Sequence, residues 1–182
     1  LIVDRDLPAA ENAVAVLGAG FAALRADVTD AASCASLAAE VRKLGALETL
    51  VNNAGAAKGA SLQATTAEDW MADRALNLDA AFLVFQALAE QLKASKGSVV
   101  NIVSVNGIGV FGHPSYSAAK AGMIHLTRAI AVEYGQYGIR ANSVAPGTVR
   151  TQAWEARAVA NPDAFAEAAE HYAVGRIERP EG

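Results

Sequence analysis

Five short apolar runs alternate with longer alanine-rich stretches along the chain, and this alternation constrains the fold more than any other feature. The runs are LIV (1–3), FAALRA (21–26), LETLVN (47–52), GSVVNIVS (97–104) and IRANSVA (139–145). Between them lie segments of helical length and pattern at 8–17, 33–44, 66–93 and 115–135. Strand–helix alternation predicts an α/β fold in which parallel strands are joined by helical crossovers that cover both faces of the sheet. The run VVNIV has the continuous apolar character of a strand buried on both sides. At 182 residues with no repeat, linker or low-complexity tract, residues 1–182 read as one domain.

The polar exceptions fall in one kind of place. Asp4 follows the first run, Asp27 the second, Asn52-Asn53-Ala54-Gly55 the third, Ser104 the fourth and Pro146-Gly147 the fifth. One such residue would be ordinary turn chemistry. Five at the carboxyl ends of parallel strands mark a ligand-binding edge. Gly18-Ala19-Gly20 resembles the start of a dinucleotide fingerprint but follows a helix and precedes a strand, so it reads as a helix-terminating turn. Asn77 stands out differently, because an asparagine amide inside a helix competes for backbone hydrogen bonds.

Tyr116 and Lys120 are separated by Ser117, Ala118 and Ala119. On a helix the two side chains share a face, and a permanent cation beside a phenol favours the phenolate. Taken alone, the spacing also suits plain packing of Tyr116 with Lys120 reaching past it to water.

Several functional classes are disfavoured. A net charge of −4 gives no general attraction to nucleic acid or to an anionic membrane. No apolar run reaches the length of a membrane span; the longest candidate, AAFLVFQALAEQL, is amphipathic. One cysteine, Cys34, fits a reducing compartment, hence an expected cytoplasmic location, and with three scattered histidines it argues against a metal site.

The ordered set NNAG, a strand-terminal serine, YSAAK and PG resembles the classical short-chain dehydrogenase/reductase family over nearly the whole chain. The resemblance implies a Rossmann-type doubly wound sheet and assigns Ser104, Tyr116, Lys120 and Asn77 as the catalytic set. It implies cofactor contacts from Asp4, Asp27, Val28, Asn53, Ala54, Gly55, Tyr116, Lys120, Pro146, Gly147, Val149 and Thr151. The acidic Asp4, at the end of the second family strand, favours NAD by bonding the adenosine ribose and repelling a 2′-phosphate. Arg5 beside it leaves NADP as the alternative.

The segment 152–175 sits where the family carries a substrate lid. Ser104, Asn106, His113 and Trp154 are candidate substrate contacts, with His171 and Tyr172 as further pocket candidates. Two family stretches have no counterpart: the glycine-rich turn with the first strand, and the last helix and strand. Residues 1–182 are therefore expected to be an incomplete chain of family size.

The resemblance implies hydride transfer between a nicotinamide cofactor and a secondary alcohol or ketone, with Tyr116 as general acid/base. The expected assembly is a homotetramer or homodimer, and the expected partner a small-molecule substrate. Alternatives are an NADPH-dependent 3-oxoacyl carrier-protein reductase and a non-catalytic dinucleotide-binding regulator.

Overall fold

The computed structural model describes residues 1–151, 154, 155, 158, 159 and 161–180. The chain divides into two compact units, Leu1–Val144 and Ala145–Gly182.

In the first unit all five expected strands form, as β1 (Ile2–Asp4), β2 (Ala23–Arg25), β3 (Thr49–Asn52), β4 (Ser98–Ile102) and β5 (Arg140–Val144). Every pairing is parallel, in the orders β1-β2 and β3-β4-β5. Among the described residues, β1 and β3 each keep one edge without a strand partner.

The helices start and stop for local reasons. α1 (Leu7–Leu17) is capped by Asp6, whose carboxylate accepts the Ala9 amide, and ends at Gly18. Gly18 has a φ of 89°, and its N–H closes on the Val14 carbonyl, so the glycine pair is a helix terminus as the sequence order required. α2 (Ala31–Leu44) is capped by Asp30, which accepts the amides of Ala32 and Ser33. α5 (Pro114–Tyr134) follows β4.

The expected helix over 66–93 is not uniform. It forms α3 (Ala67–Arg74), a five-residue π-turn (Ala75–Asp79) and α4 (Ala80–Ser95). A π-turn adds a residue to one helical turn and changes which side chains share a face, a shift that apolar periodicity does not announce.

Residues of α2, α4 and α5 share one apolar core with β3 and β4, including Leu37, Leu50, Phe85, Leu92, Val99 and Ile130. Along β3, Leu50 is buried while the next residue, Val51, is 53% exposed, as strand alternation requires when one face alone is covered. α1 packs on β1 and β2.

In the second unit, the chain after Pro146-Gly147 pairs with a later segment. The Arg150 amide donates to the Glu178 carbonyl (2.9 Å), and the Glu178 amide donates to the Thr148 carbonyl (3.1 Å). A short helix, α6 (Ala164–Ala169), lies between these segments in the chain.

Candidate active site

The carboxyl edge of β3 and β4 is organised by buried side-chain hydrogen bonds. Asn52 donates its amide to Asn101 Oδ1 (2.8 Å), and Asn101 donates to Thr127 Oγ1 (2.8 Å). Thr127 in turn donates to the Met123 carbonyl one turn back on α5 (2.8 Å). This ladder ties the strand leading into the NNAG turn to its neighbour and to the helix carrying Tyr116.

At Gly55 the chain passes close to Asn77 and to the Lys120 side chain. A Cβ at this position would lie 2.7 Å from Asn77 Oδ1 and 3.3 Å from Lys120 Nζ, so any side chain would displace one or both. Asn77 lies in the π-turn and is almost completely buried. Its amide donates to the carbonyls of Ala56 (2.7 Å) and Asp73 (2.9 Å). Its Oδ1 is buried and finds no hydrogen-bond partner among the described residues. Buried polar atoms are rarely left in that state, so the orphaned oxygen marks a place where a ligand or water completes the structure.

Lys120 is 3% exposed and donates to the Ile102 carbonyl (2.7 Å), with the Met123 sulfur at 3.9 Å. Its Nζ lies 5.6 Å from the centroid of the half-buried Tyr116 ring, so the side-by-side placement expected from the YSAAK spacing is present. The expectation of a permanent cation needs correction. Loss of hydration takes the Lys120 ammonium from the usual 10.5 down to about 8, so its charge is lost within a mildly alkaline range.

Ser104 is buried at the start of a 3₁₀ turn (Val105–Gly107), and its Oγ accepts the Asn106 amide (3.2 Å). Gly107 presses this turn against α5, since a Cβ there would come within 2.9 Å of the backbone at Lys120 and Ala121. The two candidate substrate contacts nearby are engaged in the loop itself. Asn106 donates to the Gly112 carbonyl (3.2 Å) and to Ser117 Oγ (3.3 Å). His113 occupies the left-handed region at a φ of 49°, and its Nδ1 lies 3.0 Å from the Gly59 carbonyl.

Asp4 and Asp27 sit on the exposed carboxyl ends of β1 and β2. One Asp4 oxygen accepts the Asp6 amide (2.9 Å). Asp27 Oδ1 accepts both the Thr29 hydroxyl (2.6 Å) and the Thr29 amide (2.9 Å), bonds that hold its carboxyl below the usual range. In each aspartate the bonds above use one oxygen. Val28 packs at the margin of the main core.

Within the second unit, Tyr172 packs over Gly147, where a Cβ would meet its ring at 2.9 Å. The Tyr172 hydroxyl accepts the Thr148 amide (2.6 Å) and donates to Thr148 Oγ1 (3.0 Å). Tyr172, expected as a pocket-lining residue, thus braces the turn that carries Val149 and Thr151. The Thr151 carbonyl accepts the amides of Trp154 and Glu155, and the Trp154 ring packs on Phe165 at 6.2 Å. Of the expected lid, residues 152, 153, 156, 157 and 160 lie outside the described residues.

Sequence reasoning passed over Asp73, Asn101, Gly107, Ser115 and Thr127. Asp73 and Asn101 carried a signal, as polar residues on faces that otherwise read as apolar.

The family model described as short chain dehydrogenase matches residues 1–161. This chain belongs to the short-chain dehydrogenase family. Among its relatives is a protein of Xanthobacter autotrophicus named inactive 2-(S)-hydroxypropyl-CoM dehydrogenase 2, 40% identical over 99% of this chain and 81% of its own. A second protein of that organism, named 2-(S)-hydroxypropyl-CoM dehydrogenase 3, is 35% identical over 99% of this chain and 74% of its own. A crystal structure of a short-chain dehydrogenase/reductase family oxidoreductase from Burkholderia thailandensis superposes with a TM-score of 0.89 at 41% identity, covering 98% of this chain and 70% of that one. Across eight curated relatives, the share of their length that this chain spans runs from 45% to 81%.

The residues present suit the nicotinamide cofactor that membership of the short-chain dehydrogenase family implies. The orphaned Asn77 oxygen, the side-chain-free approach at Gly55 and the exposed carboxylates of Asp4 and Asp27 offer acceptors and clearance. Among the described residues no helix is long and apolar enough to cross a membrane.

Proposed function

We propose that the protein interconverts a secondary alcohol and its ketone as a nicotinamide-dependent dehydrogenase, with NAD favoured. The observation that carries this reading is the convergence of Asn77 and the buried Lys120 amine at Gly55, with Lys120 beside the Tyr116 ring. A buried amine with a depressed pKa is costly to retain for packing alone.

In this reading Tyr116 moves the proton at the substrate oxygen, and Ser104 donates a hydrogen bond to that oxygen as charge develops on it. Lys120 holds the phenol's environment positive while it remains protonated. Asn77 and Lys120 together hold a water through which the proton reaches solvent. Asp4 would take the ribose hydroxyls, Asp27 and Val28 the adenine. Asn53, Ala54, Gly55, Tyr116, Lys120, Pro146, Gly147, Val149 and Thr151 would hold the remainder. The bound nicotinamide supplies the hydride acceptor or donor.

Residues 1–182 would act as one catalytic domain, with 152–175 as its lid. Exposed Trp70, Met71, Phe82 and Val132 on α3, α4 and α5 support assembly into a homodimer or homotetramer.

The test is a turnover screen of the whole protein with NAD⁺ and NADP⁺ against secondary alcohols and vicinal diols, with reduction of the matching ketones. NAD-preferring turnover is expected. Because one relative carries the name inactive, a second reading is tested at the same time. Dinucleotide binding without turnover across the panel would make the protein a non-catalytic binder and sink the dehydrogenase reading.

A further inference from the structure

α5 begins with Pro114, a residue suited to the first helical position. His113 at its N-cap makes no side-chain capping bond, and its first turn has no acidic residue. A helix of 21 residues nevertheless presents positive potential and unpaired amides at that end. Ser115 and Tyr116 both lie in this first turn.

A carboxylate from another helix reaches the Ser115 side chain in this turn. Asp73, on α3, is 2% exposed. Its Oδ2 accepts the Ser115 hydroxyl at 2.5 Å, and its two oxygens share the Lys58 amide at 3.2 and 3.3 Å. Its backbone carbonyl accepts the Asn77 amide at 2.9 Å. One residue therefore touches the first turn of the Tyr116 helix, the strand-to-helix segment after NNAG, and Asn77. A carboxylate this buried needs compensation from hydrogen bonds and from the helix end it faces.

We propose that Asp73 is a positioning residue, a carboxylate supplied by α3 that fixes the first turn of α5 through the Ser115 hydroxyl and so sets Tyr116 against Asn77. The role rests on the reading of Tyr116 as the proton-transferring group. Asp73 does not touch the reacting atoms; it acts through Ser115 and Asn77.

The variants are Asp73→Asn, Ser115→Ala, their double, and Ser115→Thr. Asparagine keeps the volume but offers a single acceptor oxygen. Each of the first two should lower kcat by about tenfold through misplacement of the phenol, with KM and dinucleotide Kd changed by less than about threefold. The double variant should be no slower than the slower single, and Ser115→Thr should hold kcat near wild type, because it keeps the hydroxyl.

Amide hydrogen exchange provides an arm that needs no substrate. Asp73→Asn and Ser115→Ala should each speed exchange at residues 116–119 relative to α4. Should the wild type turn over nothing, the dehydrogenase reading fails and exchange alone decides the role of Asp73. Losses that multiply in the double variant, or unchanged exchange in the first turn of α5, would overturn the proposal. If Asp73→Asn does not fold, Ser115→Ala against Ser115→Thr decides by the same two readouts.

Discussion

Exposed ion pairs occur in both units, but the two differ in their buried polar groups. In the first, Asp73, Asn77, Asn101, Thr127 and Lys120 are all buried, and each makes hydrogen bonds that reach across elements. In the second, the polar contacts include the exposed ion pairs Arg150–Glu155 and Arg176–Glu178, and Ala164 is the one buried residue among those described. A buried hydrogen bond cannot be exchanged for water, so breaking it strands a polar atom and the geometry is held to one arrangement. An exposed ion pair trades freely with water and contributes little. Under the proposed function, proton-transfer geometry would rest on the stiffly bonded unit and substrate selection on the one held by exposed contacts.

The sharpest attack on the stiff region is Tyr116→Phe, which removes one hydroxyl and keeps the ring. Turnover should fall at least about a hundredfold while dinucleotide titration stays nearly unchanged. Retention of more than about a tenth of wild-type turnover would assign the proton to another group.

Gly55→Ala tests the tight contact with Asn77. A methyl group pressed on Asn77 should cost about 1–3 kcal/mol in urea denaturation and lower turnover as well. A variant as stable and active as wild type would show that the edge has slack.

Lys120→Met tests the buried charge through pH. The folded-state pKa of about 8 lies below the ordinary 10.5, so between these values the unfolded chain holds the proton that the folded chain has released. Wild-type stability should therefore rise, relative to the methionine variant, by about 2 kcal/mol between pH 8 and about pH 10. Below pH 8 the burial penalty is present in full. Parallel pH profiles for the two proteins would remove the charge from the account.

Smaller effects lie at the exposed ends of the strands. Asp4→Ala should relax discrimination against NADP⁺ by about five- to tenfold, because an acceptor and a repulsive charge are lost together. A change of less than about twofold would mean that Asp4 does not meet the ribose. Smallest of all, Glu155→Gln should leave the denaturation midpoint where it was. A clear shift would mean the second unit is as rigidly held as the first.

Most of the strand and helix pattern was legible because it is local: apolar runs, Asp and Gly at helix ends, and motif spacing each lie within a few residues. The pairing of Lys120 with Tyr116, and Ser104 just beyond β4, were legible for the same reason. The π-turn was not, since a single added residue leaves no periodic mark. Asp73 and Asn101 carry no local sign of which residues they bond. Their partners, Ser115 and Thr127, are far along the chain, and no local pattern joins them. The charge state of Lys120 depends on how many neighbours exclude water, which spacing cannot report.

The Asn52–Asn101–Thr127 ladder has a consequence for how the chain assembles. Parallel strands have no hairpin to set their alignment, and β3 and β4 are separated by α3 and α4. Asn52 and Asn101 are aligned partners in the β3–β4 pairing. A slip by one residue would turn Asn101 to the opposite face, away from Thr127, and would carry Ser104 about 3.3 Å along the strand. The misaligned sheet would forfeit both side-chain bonds, at about 1 kcal/mol each or more where an amide is left buried and unpaired. The ladder thus works as a proofreading device: the alignment that completes it is the one that delivers the serine to its place.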